Sequence, residues 1–176
     1  SRHSGLFCGE FDKAWQASCS YVQKGYGLPI DYQADVVIAS CGGFPKDLNF
    51  YQSTKTLFNA SRAVKEGGTL IMLAECPEGS GSKDFFDWIK PLSKGCLDEA
   101  LRASFTIGGY IFYAACESIR RSKTLLLSSM EPELLAEVDF NGKDVYVIPY
   151  GGSVLPQTKE AYERICREAE ENGGAK

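Results

Sequence analysis

Apolar residues along this chain recur in two rhythms. From Phe11, the positions Ala14, Trp15, Ala17, Ser18 and Val22 return at helical spacing, which predicts a helix over 11–24. "GYGLP" then breaks the pattern. "ADVVIAS", "TLIMLAE", "TLLLSS" and "DVYVIPY" are different: short, nearly unbroken apolar runs rich in β-branched residues. Such runs predict strands buried on both faces. Between them lie helical segments: about Leu48 to Lys65, closed by Gly67-Gly68; Ser82 to Ile89; 96–104; "GGYIFYAACESIRRSK"; a short "EPELLAEV"; and a polar closing helix from Thr158 to Glu170. "GGSVLPQ" reads as a loop.

Buried strands alternating with helices predict an α/β fold, a three-layer sandwich around a mostly parallel sheet of about four to six strands. With 176 residues the chain is expected to form a single domain, 1–176. In such sheets ligands bind beyond the carboxyl ends of the strands. The turns "SCGGFPKD", "CPEGSGS", "SSMEPE" and the loop "PYGGSV" all fall at that end.

Composition narrows the partners. The net charge of −4 gives no reason to expect nucleic acid or a membrane surface. The longest uncharged apolar run, Phe105 to Cys116, is too short to span a bilayer. Seven scattered cysteines without a CxxC fit neither a disulfide framework nor a zinc ribbon, and predict buried or idle thiols in a reducing cytoplasm. The chain has one histidine, His3, so a Ser-His-Asp triad on Ser128 or Ser129 has no base.

The turn and helix from Ser40 to Lys55 hold the most suggestive chemistry. At about 100° per residue, Phe50, Thr54, Leu57, Phe58, Ser61 and Val64 share one side, which can face the sheet. Tyr51, Gln52 and Lys55 lie off that stripe and near one another. A phenol, an amide and an ammonium together could hold a carboxylate and a hydroxyl; a solvated helix face is the plainer alternative. Gly42 and Gly43 could simply permit a tight turn, and they form neither GxGxxG nor a Walker loop. Weaker candidates are the carboxylates Glu75 and Glu78, an anion-binding "GSG" at 79–81, and Cys41 as a nucleophile, for which buried packing is the better reading.

The stretch "GG-aromatic-P-x-D-x-N-x-YQ-x-x-K", present from Gly42 to Lys55, resembles the C-terminal domain of the nickel-dependent lactate racemase family, the LarA-like proteins. The resemblance runs from "GLFCGEFDKAW" through "SKTLLLSSMEPELL" to "VYVIPYGGSVLP", nearly the whole chain. It implies a Rossmann-like domain of a larger two-domain enzyme that racemises or epimerises 2-hydroxy acids by moving a hydride to a cofactor and back. The N-terminal domain, outside these residues, is implied to hold the nickel-pincer nucleotide on a lysine. It also brings the nickel-ligand histidine and two proton-transferring histidines. The C-terminal domain is implied to close over the cleft.

On that resemblance Tyr51, Gln52 and Lys55 contact the substrate, with Lys55 balancing its carboxylate. Gly42, Gly43, Pro45, Asp47 and Asn49 form the supporting turn. The implied partners are a small 2-hydroxy acid and the chain's own N-terminal domain. No catalytic residue, metal or cofactor is expected within these residues, and the piece is expected to be inactive alone. A non-catalytic small-anion or nucleotide-binding module is the alternative. The family often has tyrosine at Phe44, glycine-histidine-glycine at 79–81 and His-Lys at Tyr110-Ile111. The last two departures touch the implied cleft and leave lactate itself open as the substrate.

Overall fold

The computed structural model describes residues 5–81, 83–128 and 144–173. They form two compact units, one from 1–33 with 154–176 and one from 34–153. Both units build parallel sheet, with helices on both sides of the strands, as the α/β patterning predicts.

The larger unit holds strands β2 (Ala34–Ser40), β3 (Val64–Leu73), β4 (Lys123–Leu127) and β5 (Val145–Ile148), in the order β4-β3-β2-β5. Every pairing is parallel. Central β2 and β3 supply the core: Val36, Val37, Ala39, Leu70, Ile71 and Met72 are buried. This is why those two runs carry almost no polar residue. Helix α2 (Phe50–Ala60) covers them with Ser53, Thr54, Thr56, Leu57 and Ala60. Helices α3 (Lys83–Asp87), α4 (Ile89–Ser93), α5 (Leu97–Ala103) and α6 (Ile107–Arg120) gather a second, aromatic core of Phe85, Trp88, Leu97 and Phe112. Phe85 meets Phe112 edge-on at 5.3 Å between ring centroids, a preferred aromatic geometry.

Several expectations need correction. Helix α2 ends at Ala60, not near Lys65, in a turn where Ala63 N donates to Ala60 O. Gly67-Gly68 does not stop that helix but lies inside β3. There the register jumps from Ala34↔Val64 to Val36↔Thr69, and Gly67 takes φ +75°. A bulge with positive φ needs glycine as much as a helix end does, so the signal was real and its meaning different. The buried face of α2 is also rotated toward Ser53, Thr56 and Ala60, leaving Phe50 and Phe58 only half-buried. Helix 82–89 begins with α3 and continues, after a one-residue interruption, as α4. The short helix expected over "EPELLAEV" lies outside the described residues.

The smaller unit contains α1 (Phe11–Tyr26), β1 (Gly27–Ile30), β6 (Leu155–Thr158) and α7 (Lys159–Gly173). Its two strands pair in parallel, with Leu28 opposite Pro156 and Pro29 opposite Gln157. The sequence predicts a pattern break at "GYGLP" and a loop at "GGSVLPQ", and the structure forms strands there instead. A two-stranded sheet is all edge, and an edge strand tolerates a residue without an N–H. Glu10 caps α1, its carboxylate accepting from Asp12 N and Lys13 N. Of the apolar stripe expected on α1, Ala14, Ala17 and Ser18 are half-buried, whereas Phe11, Trp15 and Val22 are exposed.

Candidate functional site

The strand order determines where a ligand can enter. From β2 the chain moves outward to β3 and β4, then returns to add β5 on the other side of β2. The strand order thus reverses between β2 and β5, and such a switch point places a ligand crevice at the carboxyl ends of the strands. A cavity of about 170 Å³ lies there, lined by Pro45, Lys46, Gln52, Lys55, Thr56 and Gly152.

The turn after β2 is built to hold this shape. Gly42 (φ +89°) and Gly43 (φ +78°) take the left-handed backbone that side chains disfavour. A Cβ on Gly42 would also sit 3.0 Å from Tyr150 Cδ1, so Tyr150 of the β5 loop lies close over this turn. The Phe44–Pro45 peptide is cis. Asp47 is buried: its Oδ2 accepts from Glu75 N at 3.4 Å, and its carbonyl accepts from Cys76 N at 2.9 Å. It thereby ties the turn after β2 to the turn after β3.

Asn49 caps α2, its Oδ1 accepting from Gln52 N at 3.0 Å while its Nδ2 donates to Glu78 Oε2 at 3.3 Å. The carbonyls of Gly79 and Ser80 accept from Phe50 N and Tyr51 N. The first amides of α2 are thus all taken by protein, so the anion-binding potential of this helix start is already spent. The "GSG" turn supplies two acceptors to the start of α2, and its Gly79 amide is taken by Cys76 O.

Polar side chains on the flank of α2 remain. Lys55 Nζ donates to Gln52 Oε1 at 2.8 Å. That bond leaves the Gln52 amide nitrogen free to donate into the cavity. Lys46 reaches the same cavity, its Nζ donating to Ser153 Oγ at 2.8 Å and to Gly152 O at 3.3 Å. The β5 loop is further pinned by Asn59 Nδ2 donating to Gly151 O and Gly151 N donating to Ser40 O. Two ammonium groups therefore face one small cavity whose lining contains no carboxylate. Among the described residues neither makes an ion pair.

The structure brings Gln52 and Lys55 together, but not with Tyr51. Tyr51 turns toward the aromatic core and meets Phe85 edge-on at 5.6 Å, outside the cavity lining. Lys46, Thr56 and Gly152 were not singled out from the sequence. Lys46 occupies an open position of the quoted motif, and Gly152 follows β5 by a route that only the strand order reveals.

The weaker candidates separate. Glu75 is exposed and Glu78 is engaged by Asn49. Ser128 Oγ donates to Glu75 O, and Ser129 lies outside the described residues. Cys41 is buried against Thr56 and Ser53, and burial pushes its thiol above the ordinary 9.0. It stays protonated at neutral pH and is no nucleophile.

Among the described residues no three His, Cys, Asp or Glu side chains cluster so as to hold a metal. No described helix is long and apolar enough to cross a membrane.

Residues 30–106 match the family described as lactate racemase C-terminal domain. Lactate racemase of Thermoanaerobacterium thermosaccharolyticum is 39% identical over 84 residues, covering 48% of this chain and 20% of the relative. Lactate racemase of Lactiplantibacillus plantarum is 33% identical over 99 residues, covering 55% of this chain and 23% of the relative. The solved lactate racemase apoprotein from T. thermosaccharolyticum superposes with a TM-score of 0.69 at 27% identity, covering 85% of this chain and 41% of that one. The chain thus spans less than half the length of these relatives. Motif, family match and fold agree: residues 30–106 of this chain are similar to a LarA-like lactate racemase C-terminal domain.

Proposed function

We propose that this chain is the substrate-contacting part of a racemase or epimerase of 2-hydroxy acids. The observation that carries the proposal is the cavity at the β2–β5 switch point, where Lys55 and Gln52 are hydrogen-bonded neighbours and no carboxylate lines the wall. Lys55 balances the carboxylate of the acid, and the Gln52 amide donates to its carboxylate or hydroxyl. Tyr51 has its ring against Phe85 and outside the cavity lining, so the proposal gives it a role in steadying the start of α2 beside Gln52 and no direct contact with the acid in this arrangement. Pro45, Asp47 and Asn49 hold the turn so that these groups meet the substrate without rearrangement, which is where positioning gains its rate advantage.

Hydride transfer at an unactivated carbon is cofactor chemistry, here assigned to the nickel-pincer nucleotide that the family resemblance implies. Following the same resemblance, the proposal gives that cofactor to the protein's own N-terminal domain. This domain closes over the cleft and excludes water. It acts in the cytoplasm, in keeping with seven free thiols.

The test is racemisation of a panel of 2-hydroxy acids, followed by chiral chromatography. The full gene product carrying these residues is charged with nickel-pincer cofactor and compared with its Lys55→Ala variant. Activity on at least one acid should fall on the order of a hundredfold in the variant, as expected for loss of a positioned charge partner. Undiminished activity without Lys55, or none on any acid, would leave the anion-binding module as the better reading.

A further inference from the structure

The cavity holds more positive charge than one carboxylate requires. Lys55 already supplies an ammonium with two N–H groups left after its bond to Gln52. Lys46 adds a second. Its Nζ is held by Gly152 O and Ser153 Oγ, which leaves one N–H to donate. Thr56 and Gly152 floor the space beside it. A Cβ on Gly152 would lie 3.2 Å from Thr56 Oγ1 and 3.4 Å from Lys46 Cδ, so the glycine keeps the space next to Lys46 clear. The cavity of about 170 Å³ leaves room for a small acid.

We propose that the preferred substrate is a dianionic 2-hydroxy acid. Its 2-hydroxy carboxylate lies against Lys55 and Gln52, and a second carboxylate or phosphate further along the carbon chain meets Lys46. This rests on the function proposed above and deepens it. Lys46 is the specificity-determining residue. It touches the end of the substrate remote from the reacting carbon, and its anchoring to the β5 loop fixes the distance between the two charges. A monoanion such as lactate leaves that ammonium with only its two neutral acceptors, Gly152 O and Ser153 Oγ.

The probes are lactate, malate and 3-phosphoglycerate, titrated by calorimetry into the cofactor-charged gene product at low ionic strength. Lys46 is exposed, so its charge acts in a largely aqueous dielectric. A preference for the better dianion over lactate on the order of fivefold to tenfold is expected, shrinking as salt is added. Lys46→Gln should bring the ratio close to one, and Lys46→Arg, which keeps the charge, should restore it. 3-Phosphoglycerate carries about half to one negative charge more than malate near pH 7, so each is compared with lactate on its own, and both ratios should fall with Lys46→Gln.

A wild-type ratio near one, or a ratio that Lys46→Gln leaves unchanged, overturns the inference. If Lys55→Met still weakens every acid in that event, the function proposed above survives it. If Lys55→Met changes nothing, both fall together.

Discussion

The side chain of Asn49 does two jobs at the start of α2, and its loss should be measurable as stability. Asn49→Ala removes the cap acceptor for Gln52 N and the donor to Glu78. The bonds from Ser53 N and Ser53 Oγ to the Asn49 carbonyl are untouched, because they use backbone. Losing a cap costs about 1 kcal/mol. The bond to the Glu78 carboxylate adds at the lower end of its class, about 0.5–1 kcal/mol, because Glu78 is exposed. The sum is about 1.5–2 kcal/mol. With a urea m-value of about 2 kcal/mol/M, the midpoint moves down by about 1 M.

Trp88 is 8% exposed and belongs to the same unit as Asn49, so its fluorescence reports the transition. A Trp15→Phe background removes the other tryptophan. Asn49→Ser keeps an acceptor at the cap and loses only the Glu78 bond, so it should recover more than half of the loss. If Asn49→Ser is as destabilising as Asn49→Ala, capping is not what Asn49 contributes. A cost for Asn49→Ala below about 0.5 kcal/mol would refute the reasoning altogether.

Other consequences can be checked independently. Gly151→Val would place a Cβ 2.6 Å from Thr56 Cγ2. It should cost about 1–3 kcal/mol in urea melts and weaken acid binding, since Thr56 lines the cavity. Gly43→Ala meets no atom within 4 Å but must hold φ +78°, and should cost about 1–2 kcal/mol from backbone strain alone. Burial pushes the Cys41 and Cys116 thiols above 9.0 in the folded chain. Above about pH 9 the unfolded chain therefore binds fewer protons than the native one, and stability falls as pH rises. Urea midpoints at pH 7.5 and 9.5 check this, and Cys41→Ala should flatten part of the slope. In native protein a thiol reagent should label exposed Cys8 and Cys19 and leave Cys41 unmodified until unfolding, as read by mass spectrometry.

Some of this architecture was readable from the chain because one physical constraint acted alone. The run Ala34–Ser40 is buried or half-buried throughout, so every position but Asp35 is apolar or small and the strand appears with its exact bounds. Helix α6 was legible for similar local reasons, whereas the cap at Asn49 was not, since the helix was expected to start at Leu48. Errors arose where one residue type answers two needs. Gly67-Gly68 serves a β3 bulge, though glycine pairs also end helices. Pro29 and Pro156 sit in edge strands, though proline usually argues against sheet.

The site divides along the same line. Gln52 and Lys55 are three residues apart on one helix, so their meeting is a matter of helical geometry. Lys46 and Gly152 are separated by 106 positions in the chain, and only the return of β5 beside β2 makes them neighbours. Tyr51 has the right spacing, but the aromatic core claims its ring, a tertiary competition that no local pattern displays.

The central claim is that Lys55 receives the carboxylate of a 2-hydroxy acid. A crystal structure of the gene product with such an acid bound tests it most directly. The account predicts a carboxylate oxygen within about 2.7–3.2 Å of Lys55 Nζ, with the Gln52 amide donating to the same acid in the cavity between the β2 and β5 loops. An acid seated elsewhere, with Lys55 still bonded only to Gln52, would contradict it.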